Sequence, residues 1–308
     1  MGMLIATSLL IFTVLRLLPG DPIITRLGAT PGIDAETIQR LREEAGLEAP
    51  LVEQYLTWVA GIFRGDFGQS FFNQFSVTEL IIMRLPATLQ LTFTGILIAI
   101  LIAVPAGVWA SLRPLGVADR ITTAFSTASI AMPQFIVGIV LILVFAVQLQ
   151  WLPARGYVPL TESLSDNILR MILPAVTLGI AGAPLLLRYL RATMIEVLAS
   201  PYIRTAIGKG QTGSGVIIKH ALRNALIPTL TMLGLLLGYS LGGVVIIEYV
   251  FGIPGLGSLA IDAVFKRDYA VLQSVVLLVA GLFILVSLTV DLLYGVLDPR
   301  LRVGRSRG

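Results

Sequence analysis

Four stretches of this chain run for more than twenty residues without a charge, and no other feature limits its fold so strongly. Between Arg84 and Arg113 lie 28 such residues, between Arg120 and Arg155 34, between Arg223 and Glu248 24, and between Asp268 and Asp291 22. A helix that crosses the hydrocarbon core of a bilayer needs about 20. Two shorter runs, Gly2–Leu15 and Met171–Leu187, complete a set of six predicted spans. Only 13% of the residues are charged, about half the share of a soluble domain. Lipid offers no partner to an open backbone group, so spans must be helices or closed barrels. Barrel strands alternate apolar and polar residues, and these runs do not. The expected fold is therefore all-α and polytopic. The first run lacks the basic start and small-residue cleavage site of a secretion signal, because it opens Met1-Gly2-Met3 and ends at the turn Pro19-Gly20-Asp21-Pro22. It reads as a retained helix.

Loop charge orients the spans. Residues 19–85 carry five Arg against nine Asp or Glu, whereas residues 188–227 carry six Lys or Arg against Glu196 alone. The tail adds Arg300, Arg302, Arg305 and Arg307. Basic excess marks cytoplasmic loops, and the alternation is satisfied with both termini inside. The outer segment 20–85 is long enough to fold. Asp34 can cap a helix with a Leu41 and Ala45 stripe and a stop at Gly46. A second helix is expected after Pro50, with Leu51, Tyr55, Trp58 and Val59 on one face. This insertion reads as a lid, a docking platform or a solvated connector. The resulting division is a first span over 1–19, an insertion over 20–85 and a five-helix core over 86–308, whose basic loop is 195–227.

Catalytic patterns are missing. Gly208-Lys209 is followed by Gly210 and has Ile203 where a phosphate-cradling loop needs its first Gly. Gly252-Ile-Pro-Gly255-Leu-Gly257 has no strand before it and reads as a turn at the outer face. There is no cysteine, and His220 is the lone histidine, so thiolate and multi-histidine metal sites are excluded. Ion-coupled carriers bury ionisable groups in their spans, but Arg16, Glu248 and Asp291 all fall near predicted ends. The polar residues inside spans are mainly Thr, Ser and Gln. Thr88, Thr92, Ser129, Gln134, Thr177 and Ser240 are candidates to line a pathway, although such side chains more often join helices. Pro105, Pro133, Pro174 and Pro184 can kink their helices.

Residues 202–228 interrupt this apolar chain with a basic loop. Thr205, Ala206 and Gly210 precede an amphipathic stretch of Ile217, Ile218, His220 and Leu222. A short helix lying on a partner protein needs small residues for close approach and basic ones for charge.

With Leu17-Leu-Pro-Gly-Asp-Pro22, Arg64-Gly-Asp-Phe-Gly-Gln-Ser70, Leu85-Pro-Ala-Thr88, Trp151-Leu-Pro153, Arg204-Thr-Ala206, Lys209-Gly210, His220-Ala-Leu-Arg-Asn-Ala225, Glu248-Tyr-Val-Phe-Gly-Ile-Pro-Gly-Leu-Gly257, Arg267-Asp-Tyr269 and Asp298-Pro-Arg300 in this order, the chain resembles a known family. It is similar to the permease subunits of ATP-binding-cassette importers for dipeptides, oligopeptides and nickel, and most of all to the first permease of the pair. The resemblance implies the type I importer permease fold in a bacterial or archaeal inner membrane. It implies a second permease, two ATPase subunits that use ATP and magnesium, and an extracytoplasmic solute-binding protein. No cofactor of the chain's own and no nucleic acid is expected. It further implies that Arg204, Thr205, Ala206, Lys209, Gly210, His220, Arg223 and Asn224 form the ATPase-coupling loop. Arg204 stands for the Glu of the general motif, and Gly208 for a more usual Ala or Arg. The expected solute is a short peptide, with glutathione or a nickel chelate as alternatives. An ion-coupled carrier and a membrane-embedded enzyme are the rival readings, and the residues supply neither a buried ionisable pair nor a clustered nucleophile.

The charge map is open to a direct test, since the chain has no cysteine of its own. An impermeant thiol reagent applied to intact cells is expected to label Ser76→Cys and to leave Ser214→Cys unmodified. Equal labelling of both would overturn the map.

Overall fold

The computed structural model describes residues 2–17, 23–24 and 35–297. The motif end 18–22, the cap at Asp34 and the tail from Asp298 lie outside them. The described residues are helical almost throughout. We number the helices α1 (Gly2–Leu17), α2 (Ala35–Glu44), α3 (Leu51–Phe63), α4 (Val77–Leu112), α5 (Val117–Ala131), α6 (Gln134–Leu141), α7 (Leu164–Leu198), α8 (Pro201–Gly208), α9 (Gly213–Gly215), α10 (Arg223–Phe251), α11 (Leu256–Lys266) and α12 (Tyr269–Leu297). Two π-helical segments extend them, Ile142–Gln148 after α6 and Val216–Leu222 between α9 and α10.

Four stretches are long and apolar enough to cross a membrane: α4, α7, Gly213–Ser240 and Tyr269–Val290. With the bent pair α5–α6 and the shorter apolar α1 they make about six spans, as read from the sequence. Three details differ from that reading. The fourth span is not the short run Met171–Leu187 but part of a 35-residue helix that continues through Pro174 and Pro184. The third is two helices bent by 102°, because Pro133 cannot donate to the preceding turn and Met132 before it is held extended. The Gly252–Gly255 turn is present, but an unexpected helix, α11, follows it.

The chain forms two compact units, Met1–Leu89 with Ile253–Leu282 and Gln90–Gly252 with Phe283–Gly308. The core of the first joins Val77 and Ile81 of α4, Leu256, Leu259 and Ala263 of α11, and Ala270, Val271 and Val275 of α12. The insertion helices fall where the sequence places them. Gly46, at φ +66°, ends α2 by donating to Glu43 O while Leu47 donates to Arg42 O, the paired bonds of a left-handed stop. In α3, Tyr55 and Trp58 turn to Phe12 of α1, with ring centroids 5.4 and 6.3 Å away. Leu51, expected on that face, is exposed instead. The loop Arg64–Ser76 is fastened by Asp268. Its carboxylate accepts from Ser70 Oγ at 2.5 Å and from Phe71 N at 3.1 Å, and caps α12 through Val271 N.

In the second unit helices approach through glycine. A Cβ on Gly95 would fall 2.5 Å from Leu178, and one on Gly179 would strike Ile98 Cγ2 and fall 3.2 Å from Ala99 N. The same holds for Gly234 against Val290 and Gly238 against Phe283. Lipid supplies no hydrophobic drive between spans, so close van der Waals fit must do so. Pocket-filling Ala99, Ala103, Ala183, Leu186, Leu187 and Leu236 complete this layer.

Gly179→Ala is expected to destabilise the assembled protein by about 1–3 kcal/mol through overpacking, read as a lower thermal midpoint. Gly281→Ala, with nothing within 4 Å of its Cβ, is expected to leave the midpoint unchanged or raise it slightly. Equal midpoints for the two variants would contradict glycine-mediated packing.

Candidate coupling segment and polar span residues

The basic segment folds as a helix, a stop and a re-entry. Pro201 opens α8 at a position that tolerates its missing N–H. Gly210, at φ +79°, closes it: Gly210 N donates to Ile207 O at 2.9 Å and Gln211 N to Ala206 O at 3.2 Å. A side chain there meets no neighbour, so the need for glycine is conformational. Thr212 Oγ1 then accepts from Gly215 N and starts the chain back into the membrane.

The two faces of α8 differ. Ile203 and Ala206 are buried, at 2% and 8% exposure, with Leu190, Met194, Val216, Ala221 and Ala225. Arg204, Thr205, Ile207 and Lys209 are exposed. Ala206 packs its methyl on the chain's own core, and the exposed aliphatic residue of α8 is Ile207. Asn224 ties the two limbs together: its Nδ2 donates to Tyr202 Oη at 2.8 Å and to His220 O at 2.9 Å. His220 is half-buried and contributes its carbonyl here, while Arg223 is exposed. Tyr202 was not singled out in the sequence, since an aromatic beside a proline carries no signal of its own.

A second fastening was also missed. Arg191 of α7 forks onto Asp119 of α5, Nε to Oδ1 at 2.5 Å and Nη2 to Oδ2 at 2.7 Å, and Leu115 N donates to the same carboxylate at 2.7 Å. Asp119 is buried. Paired geometry of this kind compensates a buried charge. In the sequence Asp119 is one of three charges in a short loop, with nothing to show that α7 supplies its partner. Glu248, read as lying near a span end, is fully buried in the last turns of α10.

The six candidate pathway residues have the following surroundings. Thr88 accepts from Leu256 N at 2.7 Å and so caps α11. Thr177 Oγ1 donates to Leu173 O within its own helix, and Gln134 Nε2 donates to Gly243 O at 2.9 Å. Thr92 and Ser240 are buried and Ser129 is half-buried. Thr88 and Gln134 thus join elements, the commoner use of such side chains in lipid.

Residues 103–303 match the family described as the binding-protein-dependent transport system inner membrane component, and residues 1–92 match its N-terminal membrane-component family. The chain is 39% identical over 295 residues to the probable peptide ABC transporter permease protein y4tP of Sinorhizobium fredii, covering 96% of this chain and 94% of that one. It is 40% identical over 299 residues to the glutathione transport system permease protein GsiC of Escherichia coli strain K12, covering 97% and 94%. Its fold matches the inward facing MetNI methionine ABC transporter at a TM-score of 0.60 and 19% identity, over 71% of this chain and 96% of that chain. The chain therefore belongs to the family of binding-protein-dependent transport system inner membrane components.

Proposed function

We propose that this protein is one of two permease subunits of an ATP-driven importer for short peptides. The observation that carries the proposal is the full-length likeness to a probable peptide permease and a glutathione permease. A second, similar permease would complete the pathway. Two ATPase subunits would dock on the cytoplasmic face and use ATP and magnesium there, and a solute-binding protein would deliver peptide from outside. Both termini and the 195–227 loop would lie inside, and the 20–85 insertion outside; the 86–308 core would carry the solute.

In this reading α8 transmits force. Its inner face is keyed to α7 through Leu190 and Met194, so a push on the helix moves a long rigid span. Its outer face offers Arg204, Thr205, Ile207 and Lys209 to the ATPase. Gly210, His220, Arg223 and Asn224 hold the turn and re-entry that set this face. The chain supplies positioning, and ATP hydrolysis falls to its partners.

Two measurements test this. The purified chain alone is expected to hydrolyse no ATP above a mock preparation. In vesicles of the whole importer, Gly210→Val is expected to abolish ATP-dependent uptake at normal membrane content, because a β-branched residue in the left-handed region costs more than about 1 kcal/mol. Gly210→Asn, which tolerates that region, is expected to retain most uptake. Ile207→Asp is expected to weaken ATPase docking without loss of the permease, since Ile207 is 58% exposed. Ser214→Ala is expected to transport normally. Full uptake by both Gly210→Val and Ile207→Asp would make the segment an ordinary connector.

A further inference from the structure

The first unit holds a cavity of about 590 Å3 between α1 and the insertion helices α2 and α3, within the ~300–1,000 Å3 range of ligand sites. Its walls are of two kinds. Leu9, Phe12 and Val52 are among its apolar lining residues, and Arg16, Arg42 and Glu48 are its charged ones. Arg42 also engages a protein group, which leaves Arg16 as the principal cation. Arg16 stacks over the Phe12 ring at 5.2 Å, an arrangement that holds the charge on the cavity wall.

The surroundings identify the solvent this cavity meets. In α3, Leu51, Val52, Leu56 and Phe63 are 58%, 70%, 59% and 77% exposed, and Glu53 is the helix's sole charge. Leu9 and Leu10 of α1 are likewise exposed. A helix in water does not present so continuous an apolar face, whereas a helix lying in the membrane interface does. Residues 2–15 of α1 carry no charge, so Arg16 marks the level where hydrocarbon gives way to headgroups.

We propose that this cavity binds one anionic phospholipid, its phosphate on Arg16 and one acyl chain along Leu9, Phe12 and Val52. The two parts of the site match the two parts of that molecule. Guanidinium forks suit phosphate oxygens, and the apolar wall continues from them toward the hydrocarbon. A soluble acidic peptide would leave the apolar rim uncovered. The inference rests on membrane residence alone and stands apart from the identity of the solute.

The test uses the intact importer, purified with its partner subunits and exchanged into nanodiscs of phosphatidylethanolamine with or without phosphatidylglycerol. Retained lipid is measured by mass spectrometry and stability by the thermal midpoint. Wild type is expected to retain phosphatidylglycerol in preference to phosphatidylethanolamine and to gain stability from it. Inorganic phosphate is expected to have no effect. Arg16→Gln is expected to cut retention about tenfold, as loss of one charged hydrogen-bonding group implies, and Arg16→Lys to restore part of it. If Arg16→Gln lowers the yield of complex, Val52→Trp is measured in its place: it fills the cavity with both arginines intact and is expected to cut retention too. Equal retention by wild type and both variants would overturn the proposal, as would a midpoint shift by inorganic phosphate matching that of the lipid. Cross-linking of Val52→Cys to a partner subunit in preference to a photoactivatable phospholipid would also overturn it.

Discussion

Hydrocarbon gives a peptide group nothing to bond with, and the architecture of this protein follows from that absence. Each stretch that crosses must satisfy its backbone internally, which makes it a helix. Helices in lipid then gain little from burying leucine against leucine, so they cohere by fitting closely. The glycines at 95, 179, 234 and 238 serve that need, each standing where a Cβ would strike the facing side chain. The break at Met132–Pro133 follows from the same rule. A proline can end one helix and begin the next, but it cannot leave an open strand in the membrane.

Several charged and strongly polar groups act as fasteners between elements. Asp119 with Arg191 ties the short loop after α4 to α7. Asp268 with Ser70 and Phe71 N ties the loop before α4 to the start of α12. Gln90, Tyr157 and Asn167 form a third knot, with Tyr157 Oη donating to Gln90 Oε1 and Asn167 Nδ2 donating to Val158 O. Each knot satisfies donors and acceptors together, the condition under which buried polar groups add order instead of cost.

The basic segment combines both principles. Its inner residues, Ile203, Ala206 and Val216, belong to the packed layer, and its outer ones are free to meet another protein. The coupling role proposed for this segment depends on that continuity with the core behind it.

Much was legible in the sequence because the signals are local. Uncharged length predicts spans, and glycine after a periodic run marks Gly46 as a stop. The insertion helices after 34 and 50 were readable for the same reason. What the sequence could not show is pairing at a distance. Asp119 looks like an ordinary loop charge until α7 brings Arg191 to it, and nothing beside Thr88 in the chain shows that its hydroxyl accepts the first amide of α11. The end of α11 was hidden as well, because Arg267 adopts the left-handed conformation at φ 52° that glycine usually signals. Ala206 shows the limit most clearly. Its small size was evident, but whether the methyl faced a partner or the chain's own core depended on which side of α8 the fold turned inward.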